Sequence, residues 1–412
     1  MLPPIKLADR SWLDAKATRT LIAALEAARL EFRFVGGAVR DGLLGRPVAD
    51  IDVATSAKPD AVVRAIESAG LKAIPTGIAH GTVTAIVGRH PFEITTLRHD
   101  VETDGRHAVV AFTDDWRADA ARRDFTMNAL YADAGGAITD FFGGESDARA
   151  GRVRFIGAAG QRITEDALRI LRFFRFHAWY GQGALDAEGL AASTRLTGMI
   201  DRLSGERVRV ELFKTLAAPD PAPIWAAMIG AGIMAHTVPN AVRVDHLSRM
   251  IALEAALALP ADPIRRLVAL TGAPSAQSLA GLKSRLKLSN KDTDHFAAFG
   301  KLAERVGPIA RGQFGRALYG AEPTWVGDAA MLAHVETGTP DIAALLEFCR
   351  FIEGWAEPHF PLTGADLQAV GIEPGPEMGR FLSELEAWWI AAAFKPDRDS
   401  CLRQLAKARL SQ

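Results

Sequence analysis

Residues 34–55 read FVGGAVRDGLLGRPVADIDVAT. The apolar pair Phe34–Val35 ends a strand, and Gly36–Gly37 turns the chain into a helix over 38–44 carrying Arg40 and Asp41. Gly45–Arg46–Pro47 forms a turn, and a second strand is predicted from Val48 to Val53. Positions i and i+2 of a strand face the same way, so Asp50 and Asp52 project together. Two adjacent carboxylates repel one another unless a cation sits between them. A glycine turn at a helix start offers backbone N–H groups to a phosphate. Each signal alone is weak, since a lone DxD is usually a solvated pair at a strand end. In this order and spacing they outline a phosphate cradle beside a divalent-metal site.

Composition bounds the rest. The chain has 412 residues, 49% of them hydrophobic and 24% charged, which suits a globular protein of two to four modules. Its net charge is −1, so a polyanion has to be bound by a local basic surface. Cys349 and Cys401 have no CxxC partner, which argues against a thiolate zinc site or a disulfide framework. No run is apolar enough to span a bilayer, and MLPPIKLADRSWLD has no leader-like pattern. A cytoplasmic protein with no membrane partner is expected.

Upstream, Leu21, Ile22, Leu25 and Ala28 fall at helical spacing. Downstream, a helix begins near Pro59 and stops at Gly70, followed by the strand-like runs LKAIPT, GTVTAIV and HPFEITTL of a mixed sheet. Residues 98–107, RHDVETDGRH, are charged and are expected as a mobile loop. A helix is predicted over 118–130 and a strand over 130–132, so residues 1–145 read as one compact α/β domain. Beyond residue 145 strand signals nearly vanish, and the remainder reads as an elongated all-helical region.

Several further groups carry chemistry. Glu93, in the strand FEITT, is a third carboxylate beside Asp50 and Asp52; an outward glutamate on an alternating strand is the plain alternative. In RRDFTMNALY, Asp124 and Asn128 are i and i+4 on one helix face, next to Arg122 and Arg123, and suit a nucleotide's phosphate and ribose. In EDALRILRFFRF, residues 165–176, Ile170, Leu171, Phe173 and Phe174 make the apolar face of a helix. Asp166 and Arg169, at i and i+3, present an acceptor and a donor to one planar partner. Cytosine and adenine offer an amine beside an acceptor nitrogen, whereas uracil and guanine reverse both senses. Arg207 and Glu211 are expected as a helix-stabilising i,i+4 pair, and arginine and lysine outnumber acids between 149 and 214. There is no GxxxxGK[ST], HExxH or GxSxG pattern.

FVGGAVRDGLLG, DIDVAT, FEITTLR, RRDFTMNALY, DFFGG, EDALRILRFFRF and GERVRVELFKTL occur here in one order. Together they resemble the bacterial CCA-adding tRNA nucleotidyltransferases and their poly(A) polymerase relatives, within the polymerase-β-like superfamily. The resemblance implies an α+β fold: a nucleotidyltransferase head with a mixed sheet (1–145), a helical neck that recognises the base (146–217), and a helical body and tail that bind tRNA (218–412). It implies Asp50 and Asp52 as the metal-binding carboxylates, with Mg²⁺ the expected ion; Glu93 stays the candidate third catalytic carboxylate on its strand position. It implies Gly36, Gly37 and Arg40 at the triphosphate, Arg122, Asp124 and Asn128 at sugar and phosphate, and Asp166 and Arg169 at the base. Asp104–Arg106 corresponds to the segment tied to switching from CTP to ATP. The implied reaction is template-independent CCA addition to the tRNA 3′ end from CTP and ATP, with release of pyrophosphate. A poly(A) polymerase or an A-adding enzyme is the same-chemistry alternative, and a non-catalytic RNA binder the alternative from another class.

Overall fold

The computed structural model describes residues 6–104, 107–306, 313–338 and 342–410. The chain divides into two compact units, Met1–Pro239 and Asn240–Gln412.

Among its described residues the first unit holds nine strands: β1 (Phe32–Val35), β2 (Asp52–Thr55), β3 (Lys72–Gly77), β4 (Thr82–Val87), β5 (His90–Thr96), β6 (Arg98–Asp104), β7 (His107–Phe112), β8 (Leu130–Ala132) and β9 (Ile138–Asp140). Seven form one sheet in the order β3-β4-β5-β2-β1-β8-β9. Only β2 and β5 run parallel, so this is a mixed sheet. One face carries Phe34, Val53, Val83, Ala85, Phe92 and Ile94, all buried. The helices Lys16–Ala27 and Pro59–Ser68 bury Leu21, Ile22, Leu25, Val62 and Ile66 and contact each other and the sheet. Directly paired residues share a face, so a row crosses the other side through Thr84, Glu93, Asp52, Val35, Tyr131 and Thr139.

Three elements differ from the sequence expectation. The second strand begins at Asp52, not Val48, because β1 leaves the sheet after Val35 and residues before Asp52 have no ladder partner. Asp50 therefore precedes the strand. Residues 98–104 are not a loop but β6, paired antiparallel with β7 in a separate two-stranded sheet. The β-prone run AVVAF supplies the partner, and ladder bonds need only backbone. Gly105 and Arg106, within the segment tied to nucleotide switching, lie outside the described residues. Finally, the helix expected over 118–130 spans Trp116–Ala121 only. Phe125 bridges Phe155, Thr126 N–H bonds the Arg154 carbonyl, and Ile156 N–H bonds the Asp124 carbonyl. Pairing with 154–156 wins over local helix propensity.

After β9 every element of regular structure among the described residues is a helix. The second unit has a core of Leu367, Phe381, Leu385, Trp389, Cys401 and Leu405. It also buries an ionic group: Arg265 lies between Glu254 (2.9 Å) and Asp328 (2.7 Å), Arg266 joins Glu254, and His295 Nε2 meets Asp328 at 2.9 Å. No helix among the described residues is long and apolar enough to cross a membrane.

Candidate active site

Asp52 is the centre of the transverse row. Its register partners are Val35, the last residue before the glycine turn, and Glu93 on the parallel neighbour. Both carboxylates are exposed, and neither they nor Asp50 take a hydrogen bond or ion pair among the described residues. Desolvation by the surrounding protein raises the Asp52 carboxyl above its ordinary value; Glu93 and Asp50 add to that, and Arg123 opposes it. Among the described residues no three His, Cys, Asp or Glu side chains are gathered closely enough to enclose an ion alone. A magnesium ion does not require that, because it keeps several waters and takes one or two protein carboxylates plus substrate phosphates. Two unpaired, mutually repelling carboxylates in register fit such an ion.

The glycine turn is fixed by one bond and one dihedral. Gly36 has φ +73° and ψ −123°, a conformation that side chains rarely adopt, and this lets β1 turn directly into the helix Gly37–Leu43. Its N–H is spent on the Leu130 carbonyl at 3.1 Å. The first helical turn from Gly37 is therefore where open donors lie.

Arg40 is buried and fully engaged. It pairs with Asp41 through Nε (3.0 Å) and Nη2 (2.9 Å), donates Nη1 to Asn128 Oδ1 (2.6 Å) and Nη2 to Tyr180 Oη (2.7 Å), and lies over the Tyr180 ring at 4.1 Å. Asn128 Nδ2 donates to Asp124 Oδ1 (3.0 Å), and Arg172 Nε donates to Asp124 Oδ2 (2.7 Å). Burial alone would raise the Asp124 carboxyl, but Arg172, Asn128 and the Phe125 N–H hold it below the ordinary range. Asp124 and Asn128 meet although no continuous helix joins them.

Besides Arg40, Arg123 borders the glycine turn. A Cβ built at Gly36 would lie 3.7 Å from its Nη1, and its charge is felt at Asp52. Arg123 is held by Asp119 (3.2 Å) and Tyr131 (3.3 Å), and Arg122 by Asp119 (2.9 Å). Sequence reading offers either arginine of this motif as a phosphate clamp, and the resemblance singles out Arg122; it is Arg123 whose guanidinium lies beside the turn.

The helix expected over 165–176 is broken. Helices Ala159–Glu165 and Leu168–Tyr180 flank Asp166, whose φ −151° and ψ 106° are extended. Asp166 Oδ1 accepts from the Leu168 N–H, which favours that break. Ile170, Leu171, Phe173 and Phe174 are buried as predicted. Asp166 does not pair with Arg169. Arg169 donates to Glu165 (2.6 Å) and to the carbonyls of Arg162 and Arg122 (both 2.9 Å), which sets it beside the RRD segment. The expected Arg207–Glu211 pair is also absent: Arg207 reaches Asp166 (2.7 Å), while Glu211 takes Arg175 (2.6 Å) and lies 3.8 Å from Arg172. Longer-range partners capture both residues, Asp166 in the break for Arg207 and Arg175 on the helix Leu168–Tyr180 for Glu211. Tyr180, which no sequence pattern marked, and Glu211, which spacing assigned to Arg207, take their places through such tertiary contacts.

The model described as the poly A polymerase head domain matches residues 32–154, and one described as a probable RNA and SrmB-binding site of polymerase A matches 184–243. The mitochondrial CCA tRNA nucleotidyltransferase 1 of Mus musculus is 33% identical over 391 residues, spanning 92% of this chain and 87% of that protein. The CCA-adding enzyme of Streptococcus sanguinis strain SK36 is 31% identical over 374 residues, 89% of this chain and 90% of that protein. The Bacillus stearothermophilus CCA-adding enzyme, solved in complex with CTP, superposes with a TM-score of 0.79 at 28% identity, covering 100% of this chain and 99% of that one. The Thermotoga maritima CCA-adding enzyme, solved with tRNA, shares the fold with a TM-score of 0.67 at 19% identity, covering 98% and 99%.

Proposed function

The chain belongs to the CCA-adding tRNA nucleotidyltransferase family, and from that premise we propose that it adds C, C and A to the 3′ end of tRNA from CTP and ATP in the cytoplasm. The observation that carries this reading is the register of Asp52 against Glu93 beside the Gly36 turn, within the unit that also holds Asp166 and Arg169. Asp50 and Asp52 hold the cation, Mg²⁺ in this reading, with Glu93 completing the acidic face. A bound Mg²⁺ supplies charge that activates the 3′-hydroxyl and neutralises the α-phosphate. The 3′-oxygen attacks the α-phosphorus in line; one P–O bond forms as another breaks, and pyrophosphate leaves. Gly37 and Arg123 face the triphosphate, as does Arg122, whose side chain is partly accessible. Arg40 acts through Asn128, orienting it and Asp124 toward the sugar. Asp166 accepts from the exocyclic amine of cytosine or adenine, and Arg169 donates to the neighbouring ring nitrogen.

The test offers labelled CTP and ATP with tRNA lacking its last three nucleotides and sizes the products. Three-nucleotide addition is expected; a single A or a long A-tail would instead identify the A-adding or poly(A) alternative. Asp52→Asn should abolish extension while tRNA binding is kept. Undiminished turnover by that variant would overturn the metal-holding role of Asp52.

A further inference from the structure

We propose that Arg207 is a positioning residue for base selection: its guanidinium fixes the Asp166 carboxylate in the orientation that accepts from an incoming base. The inference rests on the base-reading role given to Asp166 above. Asp166 lies in an extended break between two helices, so no helical neighbour sets its rotamer. Two bonds do so instead. Oδ1 accepts from the Leu168 N–H at 3.0 Å, and Oδ2 accepts from Arg207 Nη2 at 2.7 Å. Each carboxylate oxygen has two lone-pair directions, so each keeps one for a ligand. The side chains of Arg207 and Asp166 are 30% and 29% exposed, so the pair stays within a nucleotide's reach.

Arg169 does not perform this task, because its Nη1 is turned to Glu165 and the Arg162 carbonyl and its Nη2 to the Arg122 carbonyl, which leaves Nε and one Nη2 hydrogen for the base itself. Arg207 is itself anchored. Its helix, Gly205–Leu216, packs on Leu168–Tyr180 and is tied there by Glu211 to Arg175. A guanidinium donates only, so the carboxylate it grips presents acceptors on its open side. A base offering a carbonyl there meets an acceptor and is rejected. Without Arg207 the carboxylate is free to swing, and both the welcome for an amine and the rejection of a carbonyl weaken.

The experiment measures kcat/KM for CTP and for UTP on tRNA lacking its 3′ nucleotides, using the full chain and its Arg207→Met, Arg207→Lys and Asp166→Asn variants, with melting curves for each. Arg207→Met should lower the CTP-to-UTP ratio by about tenfold or more, given that a 1 Å misplacement costs on the order of a hundredfold. The loss should fall mainly on KM for CTP, and Arg207→Lys, which keeps the charge, should recover part of it. An unchanged ratio in Arg207→Met alongside a lowered one in Asp166→Asn overturns the role of Arg207 alone. An unchanged ratio in Asp166→Asn overturns the base-reading assignment itself. Should Arg207→Met fail to melt cooperatively, Arg207→Lys decides: an intermediate ratio upholds the proposal and the parent ratio overturns it.

Discussion

Glu211→Gln tests the ionic packing that holds the helices Leu168–Tyr180 and Gly205–Leu216 together. Glu211 is 5% exposed and accepts from Arg175 Nε at 2.6 Å, with Arg172 3.8 Å away. Burial pulls the Arg175 guanidinium below its usual value, and Glu211 is the main charge opposing that pull. Removing one partner of a buried pair costs about 3–5 kcal/mol when the other is left uncompensated. Here the cost is smaller, because Arg172 keeps Asp124 and Arg175 keeps the face of Phe176, 4.3 Å away. The glutamine carbonyl also still accepts one bond, so about 2 kcal/mol is expected for Gln and about 3 for Ala. For a body of this size each kcal/mol moves Tm by about 2–4 °C, giving a drop of about 4–8 °C for Glu211→Gln. Calorimetry and far-ultraviolet circular dichroism of the full chain read that shift. A double-mutant cycle with Arg175→Met should show non-additivity of about 1 kcal/mol or more. A Tm within a degree of the parent, or strict additivity, would refute the assignment of Glu211 as the anchor.

Two further outcomes follow from the head of the first unit. Gly36→Ala should cost about 1–3 kcal/mol from its positive φ, since the nearest atoms leave room for the methyl, whereas Gly37→Ala should melt close to the parent; equal melting of the two refutes the conformational argument. Asp124 has a depressed folded-state value, so its stabilisation is present above the ordinary carboxylate value of about 3.9 and is lost as pH falls through the folded one. The Tm gap between the parent and Asp124→Asn should therefore be widest near pH 7 and close as pH falls through the folded-state value, below the ordinary carboxylate range; a gap that stays constant contradicts the depressed value.

The strands and helices with strong periodicity were legible in the chain, and the mixed sheet follows from them. LKAIPT, GTVTAIV and HPFEITTL became β3, β4 and β5 because alternation and β-branched residues act locally. What was not legible depends on partners far along the chain. The start of β2 is set by where β1 turns away, the end of the helix after Trp116 by pairing with 154–156, and the break at Asp166 by its own bond to Leu168. Spacing rules alone assigned Arg207 to Glu211, but each found a stronger partner on another element. Residue identities at the site could be listed from sequence; who holds whom could not. Arg40 shows the difference: its place in the motif was legible, but not that its guanidinium is held by Asp41, Asn128 and Tyr180.

The parallel register of β2 and β5 bears on how the protein is made. Asp52 and Glu93 are about forty residues apart, and parallel neighbours can pair only after an intervening crossover has formed. In this chain that crossover is the helix Pro59–Ser68 with β3 and β4. A ribosome-bound chain that has emerged only as far as β3 therefore contains the glycine turn and both aspartates, yet has no acidic face. The Asp52–Glu93 pairing should therefore appear abruptly once β5 clears the exit tunnel, and long-range closure makes that step slower than folding of the helices around it.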